Sequence, residues 1–325
     1  MTSTIKTVFF DNPWLLFCLI NFRTPCWMKA ESIFSRFIPL IIMVILSGCK
    51  IKLTKGFAEV NGARLYYEIY GNGTPLILIH GWTFDSRCWE YQVPVLSKNY
   101  QVFGYDLRGF GKSSLPVQGK SYSHTKDLVA LMDYLGIERA ILLGHSFGGR
   151  IAIDCAINYP ERVIGLILPE GAWDVNDVDL GDDFDELINW LVSTREAAEN
   201  EGIEKAKANW MNGPPFLTAM QKPHSASLVK KMVNEYSWWH YMHDDPAQGF
   251  ESYSVIKLKS ISAPTLIMYG KNSPVGYFRI AQIQHEYIPI SKLVTIDNAA
   301  HALNIENPDQ FNKEILNFLK ESNFK

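Results

Sequence analysis

Strand and helix signals alternate over most of the chain and predict an α/β protein: a mostly parallel, doubly wound sheet with a helical insertion after its sixth strand. Three observations carry this. Apolar runs of strand length, Pro75–Ile79, Ala140–Leu143, Val163–Leu168 and Thr265–Met268, are separated by helix-length segments. Runs without polar alternation belong to strands covered on both faces, as in parallel sheets. One of them continues as Gly144-His145-Ser146-Phe147-Gly148-Gly149 and resumes as an apolar helix, a strand, sharp turn and helix in succession. Between Trp173 and about Tyr253 the alternation stops, the pattern turns helical, and five of the nine tryptophans fall there: Trp173, Trp190, Trp210, Trp238 and Trp239.

Taken in order, Phe57–Val60 and Arg64–Tyr70 flank Asn61-Gly62, a two-residue hairpin signal, so the domain opens with an antiparallel pair. The Pro75–Ile79 strand ends at His80-Gly81-Trp82, where a glycine permits close backbone approach to a ligand. Residues 84–97 read as a helix leading to a strand over Gln101–Asp106. The following loop, Leu107 to Ser114, has glycines and serines but not the spacing of a phosphate cradle, and Asp106 and Arg108 are expected to fix it. A helix from Tyr122 places Leu128, Leu131, Met132 and Leu135 on one face and stops at Gly136. After the insertion come the Thr265–Gly270 strand, a helix, the Leu293–Ile296 strand, His301, and a helix opened by Asn307-Pro308.

The amino terminus reads as an address. A polar segment from Met28 to Arg36 runs into Phe37–Leu46, too short to span a bilayer, which takes about 20 residues. Leu46-Ser47-Gly48-Cys49-Lys50 resembles the bacterial lipoprotein signal, which implies cleavage before Cys49, its acylation with palmitate-type chains, and a membrane anchor. Lys50 in place of aspartate implies sorting to the outer membrane, facing the periplasm, if the cell is Gram-negative. Residues 1–27 add a second apolar patch ahead of this signal, so translation is expected to begin at Met28. The resulting division is 1–48 extension and signal, 49–56 lipidated linker, 57–171 with 256–325 as the core, and 172–255 as a helical cap.

A net charge of −3 supplies no field for nucleic acid, which is not expected as a partner. The cysteines show no metal-ligand spacing, and a Cys88–Cys155 disulfide is not expected. His240 and His243 lie three apart in Tyr236–Asp245, where an aromatic run at helical spacing points to packing rather than a metal.

Ser146, Trp82, Glu170, Gly270 and His301 all fall at or just beyond the C-terminal ends of predicted strands, where open α/β sheets meet their ligands. In their order along the chain, His80-Gly81-Trp82, the Asp106–Ser114 loop, Gly144–Gly149, Pro264–Gly270 and the late His301 resemble the α/β-hydrolase superfamily over nearly all of residues 55–322. The resemblance implies a nucleophile at Ser146, a base at His301, and oxyanion donors at the N–H groups of Trp82 and Phe147. That family usually carries its acid just after the Pro264–Gly270 strand, where this chain has Ser273. Glu170, closing the strand after the nucleophile helix, resembles a branch, including some haloalkane dehalogenases, whose acid sits there. Glu170 is therefore the expected acid and Asp297 the weaker candidate.

The expected activity is hydrolysis of a small, fairly hydrophobic carboxylic ester or lactone through an acyl-enzyme, with no cofactor and no metal. A serine nucleophile argues against dehalogenase or epoxide hydrolase chemistry. The alternatives are hydrolysis of a C–C bond in a β-diketone-type substrate and a non-catalytic ligand-binding homologue.

Overall fold

The computed structural model describes residues 53–171, 182–248 and 255–324. The expectations for the signal, for Cys49 and for a start at Met28 lie outside the described residues, as does Trp173. No described helix is long and apolar enough to cross a membrane.

Eight strands form one sheet in the order β1-β2-β4-β3-β5-β6-β7-β8. β1 (Leu53–Val60) and β2 (Ala63–Tyr70) are joined by Asn61 and Gly62, both at positive φ, which is what a two-residue turn matching strand twist requires. β2 pairs antiparallel with β4 (Tyr100–Tyr105), and from there the sheet is parallel through β3 (Thr74–Ile79), β5 (Ala140–Gly144), β6 (Val163–Pro169), β7 (Thr265–Gly270) and β8 (Ser291–Ile296). Leu76, Leu78, Leu142, Leu143, Ile167 and Leu168 are wholly buried, as strands with helices on both faces demand. Every parallel strand therefore delivers its C-terminal end to one edge, where the site lies.

Residues 84–97 do not make the single helix expected of them. A 3₁₀ turn over Ser86–Trp89 is followed by the one-turn α1 (Val93–Leu96). Pro94 explains the break, because in a continuous helix its ring would collide with the carbonyl of Glu90. Asp106 and Arg108 do fix their loop. The Asp106 carboxylate accepts the N–H groups of Ser86 and Lys112, both at 2.8 Å. Arg108 donates twice to buried Asp127, at 2.8 and 2.9 Å, and once to the Asn61 carbonyl, tying the hairpin to α2 (His124–Tyr134). α2 starts where the Ser123 hydroxyl accepts the Lys126 N–H and is followed by Gly136 at positive φ.

α3 (Phe147–Asn158) follows β5. Between β6 and β7 the described residues form α4 (Asp182–Asn200), α5 (Ile203–Met211), α6 (Leu217–Gln221), α7 (Pro223–Glu235) and α8 (Trp239–Met242). An aromatic cluster holds these together, with the rings of Trp190 and Trp210 4.4 Å apart and Phe216 5.7 Å from Trp210. α9 (Val275–Tyr287), α10 (Leu303–Glu306) and α11 (Pro308–Ser322) complete the fold. Cys88 and Cys155 are both buried free thiols.

Candidate active site

Ser146 occupies the turn between β5 and α3 with φ 51° and ψ −119°, a strained conformation for a residue with a side chain. Its neighbours allow it. A Cβ on Gly144 would overlap the carbonyl of Gly148, and one on Gly148 would overlap that of Ile79, so only glycine lets β3, β5 and α3 meet this closely. The turn is held by the Ser146 N–H, which donates to the Pro169 carbonyl at 3.1 Å, and by the Gly149 N–H, which donates to Ser146 at 2.8 Å.

His301 arrives from the loop after β8, and its Nε2 lies 3.0 Å from Ser146 Oγ. Burial lowers the His301 pKa to about 3, keeping the imidazole neutral, and a neutral ring nitrogen at this distance can accept the serine proton. The loop is tied down on both sides. His301 N–H donates to the Pro215 carbonyl at 3.3 Å, and His145 Nε2 lies 2.7 Å from the His301 carbonyl. A carbonyl can only accept, so His145 carries its proton on Nε2. Burial, with the like charge of His301 adding to it, lowers the His145 pKa to about 3 as well.

Glu170 lies behind His301, also at positive φ, 49°, and only 3% exposed. Its Oε1 accepts the Ser273 hydroxyl at 2.6 Å and the Gly270 N–H at 2.7 Å. Its Oε2 is 3.7 Å from His301 Nδ1, longer than a hydrogen bond but close enough for an ion pair once the imidazole is charged. Burial raises the Glu170 pKa to about 7, opposed by the Ser273 and Gly270 hydrogen bonds to the ionised form. Ser273, at the position where an acid is usual, is thus a donor to the acid on the next strand. Asp297 pairs instead with Lys271 at 3.2 Å, and both side chains are more than half exposed.

Trp82 and Phe147 border the same cavity as Ser146 and His301. β3 and β5 are adjacent with Ile79 opposite Gly144, so His80–Trp82 and His145–Phe147 run side by side, and a Cβ on Gly81 would lie 3.1 Å from that of Ser146. Phe147 is the first residue of α3, whose positive end favours negative charge. The cavity measures about 570 Å³, and its lining includes Trp190, Trp210, Tyr241 and Tyr277 together with the charged Arg195, Glu196 and Glu199. His240 and His243 are engaged separately: one stacks on Phe110 at 4.7 Å and the other on Trp239 at 4.8 Å.

Sequence reasoning did not identify Trp190, Trp210, Tyr241 and Tyr277 as walls, because helical spacing leaves the facing side undetermined. Nor did it find Glu306, whose carboxylate accepts the Ala300 N–H at 2.6 Å and the Ala302 N–H at 3.1 Å, on either side of His301.

The family model described as alpha/beta hydrolase fold matches residues 74–308. The chain belongs to this family. Among its relatives are a pimeloyl-[acyl-carrier protein] methyl ester esterase of Legionella pneumophila, 26% identical, covering 79% of this chain and 100% of the esterase, and a 2-hydroxy-6-oxo-6-(2'-aminophenyl)hexa-2,4-dienoic acid hydrolase of Metapseudomonas resinovorans, 26% identical, covering 81% and 90%. Among solved structures, the enol-lactonase of Burkholderia xenovorans superimposes with a TM-score of 0.66 at 26% identity, covering 82% of this chain and 100% of the lactonase. These relatives are hydrolases, and the chain is an α/β-hydrolase enzyme.

Proposed function

We propose that this α/β-hydrolase cleaves a small, fairly hydrophobic carboxylic ester or lactone through an acyl-enzyme on Ser146. One observation carries the reading. Ser146 Oγ and His301 Nε2 lie 3.0 Å apart on the wall of a cavity lined mostly by aromatic rings, with the Glu170 carboxylate behind the imidazole. His301 takes the Ser146 proton as Oγ attacks the acyl carbon, and the N–H groups of Trp82 and Phe147 hold the oxyanion, each donor worth on the order of 10²-fold or more. The tetrahedral intermediate collapses with loss of the alcohol, which receives its proton from His301. Water then repeats the attack and restores Ser146. Glu170 orients His301 and stabilises its charged form, an interaction that tightens from 3.7 Å as the imidazolium forms. No step requires a metal or cofactor.

The esterase and lactonase relatives support an acyl substrate, and the apolar walls support a hydrophobic one. The relative that acts on a hexadienoic acid favours the second reading, C–C bond hydrolysis, which would release no alcohol. The test is the intact mass of the full chain after exposure to a fluorophosphonate, for wild type and Ser146→Ala. One adduct in wild type and none in the variant is expected. No adduct in either would refute the serine mechanism and favour a ligand-binding homologue. We further propose that Cys49 is acylated and holds the enzyme on a bacterial membrane, the outer one if the cell is Gram-negative. Metabolic labelling with a palmitate analogue should be lost in Cys49→Ser, and equal labelling of both forms would refute the anchor.

A further inference from the structure

The imidazole of His301 is placed by its backbone, and that backbone is gripped by the carboxylate of Glu306, five residues further along the chain. Ala300 and Ala302 are wholly buried, so their N–H groups need partners within the protein. Both find the same one, since Glu306 Oε2 accepts from Ala300 and Oε1 from Ala302. Glu306 is itself anchored to this turn. Its N–H donates to the Ala302 carbonyl at 2.9 Å, and Lys222 Nζ donates to the carbonyls of Glu306, at 2.9 Å, and of Asn298. The result is a closed loop of hydrogen bonds around the residue that contacts Ser146.

We propose that Glu306 is a positioning residue: its two carboxylate oxygens clamp the peptide N–H groups flanking His301 and so set the imidazole's distance to Ser146 and Glu170. The proposal rests on the assignment of His301 as base. Only an ionised carboxylate presents two acceptors in this geometry, and hydrogen bonds to a charged acceptor are about twice as strong as neutral ones. An amide keeps the shape but turns one acceptor into a donor facing an N–H. Burial pushes the Glu306 carboxyl up to about 7 against the pull of those N–H groups and of Lys222, while the charge of Glu170 adds to the rise. The position is thus an unfavourable one for a charge, occupied because the loop needs both acceptors.

The experiment compares full-length wild type with Glu306→Gln, Lys222→Met and Ser146→Ala, using p-nitrophenyl butyrate turnover and the rate and end point of fluorophosphonate labelling. A displacement of about 1 Å costs on the order of 10²-fold, so Glu306→Gln should lower kcat and the labelling rate by roughly that factor, with KM within about two-fold and the same labelled end point. A merely structural role would lower the end point and Tm while each surviving molecule labelled at the wild-type rate, and that result would overturn the proposal. Should Glu306→Gln fail to fold, Lys222→Met decides: it loosens the same turn from its half-buried flank, so kcat should fall several-fold at constant KM, and an unchanged kcat would overturn the clamp. Failure of wild type to label would remove the serine mechanism and the clamp with it, whereas rapid labelling of wild type and Glu306→Gln alike would remove the clamp alone.

Discussion

Replacing Glu170 by glutamine separates charge from shape at the point where this chain departs from the usual arrangement of its family. The side chain keeps an oxygen to accept the Gly270 N–H and the Ser273 hydroxyl, but Oε2, 3.7 Å from His301 Nδ1, becomes an amide donor. Two losses follow. At an effective dielectric of about 20, unit charges 3.7 Å apart interact by roughly 4.5 kcal/mol, about three powers of ten in the stability of the imidazolium. The new donor also favours the tautomer with the proton on Nε2, which cannot accept from Ser146, and an acid-to-amide change in a serine protease triad costs ~10⁴. Fluorophosphonate labelling and ester turnover should therefore both slow by roughly 10³- to 10⁴-fold in Glu170→Gln. Asp297→Asn, at an exposed surface pair, serves as the control and should stay within about two-fold, the small effect expected of a surface ion pair. Stability moves the other way. The folded pKa of Glu170, about 7, lies above its unfolded value, so wild type loses stability as pH rises through that range while the neutral variant does not. Relative to wild type, the Tm of Glu170→Gln should rise between pH 5 and pH 8. A rate within ten-fold of wild type would refute the assignment of Glu170 as the acid.

Three further outcomes follow from the same geometry. Activity should fall as pH drops through about 7, where Glu170 takes up a proton, and Ser273→Ala, by removing a donor to the ionised form, should move this acid limb of the kcat/KM profile to higher pH; an unmoved limb would contradict the role given to Ser273. Gly148→Ala drives a Cβ into the Ile79 carbonyl, and overpacking of roughly 1–3 kcal/mol should lower Tm by several degrees in a thermal melt. Trp190→Ala opens the cavity wall beside Trp210, so the kcat/KM ratio of octanoate to butyrate esters should rise by at least about four-fold, the worth of one buried methylene, alongside a lowered Tm.

The sheet was legible because its strands bury both faces: an apolar run such as Leu76–Ile79 or Ala140–Leu143 has few other ways to be satisfied in a chain this long. The placing of Ser146 beside His301 could be anticipated for a related reason, since parallel strands deliver their C-terminal ends to one edge and both residues follow such ends. Glu170 could be read as a strand-terminal carboxylate, yet its hydrogen bonds to Ser273 and Gly270 join residues about a hundred positions apart and leave no local trace. The helix expected over residues 84–97 is broken at Pro94, whose ring starts a new turn at α1 and cannot continue the preceding one. Glu306 was invisible for another reason: its partners are backbone N–H groups, which every residue possesses and no pattern records. The walls of the cavity depended on how α4, α5 and α8 turn relative to one another, and tryptophans spaced at helical intervals can face either side.

Glu170 directly follows β6 and stands two residues ahead of the helical insertion expected over 172–255, and this gives the two ends of the insertion unequal freedom to diverge. Recombination at the far end, ahead of β7, exchanges covering helices and alters what the cavity admits. Recombination at the near end cuts within two residues of the carboxylate that faces His301. On the role proposed for Glu170, an exchanged segment that joins before it must bring its own acid in a left-handed backbone conformation or find one already waiting at position 273. Descendants of this chain are therefore expected to trade substrates by crossovers biased toward the distal junction, with the proximal one inherited as part of the catalytic apparatus.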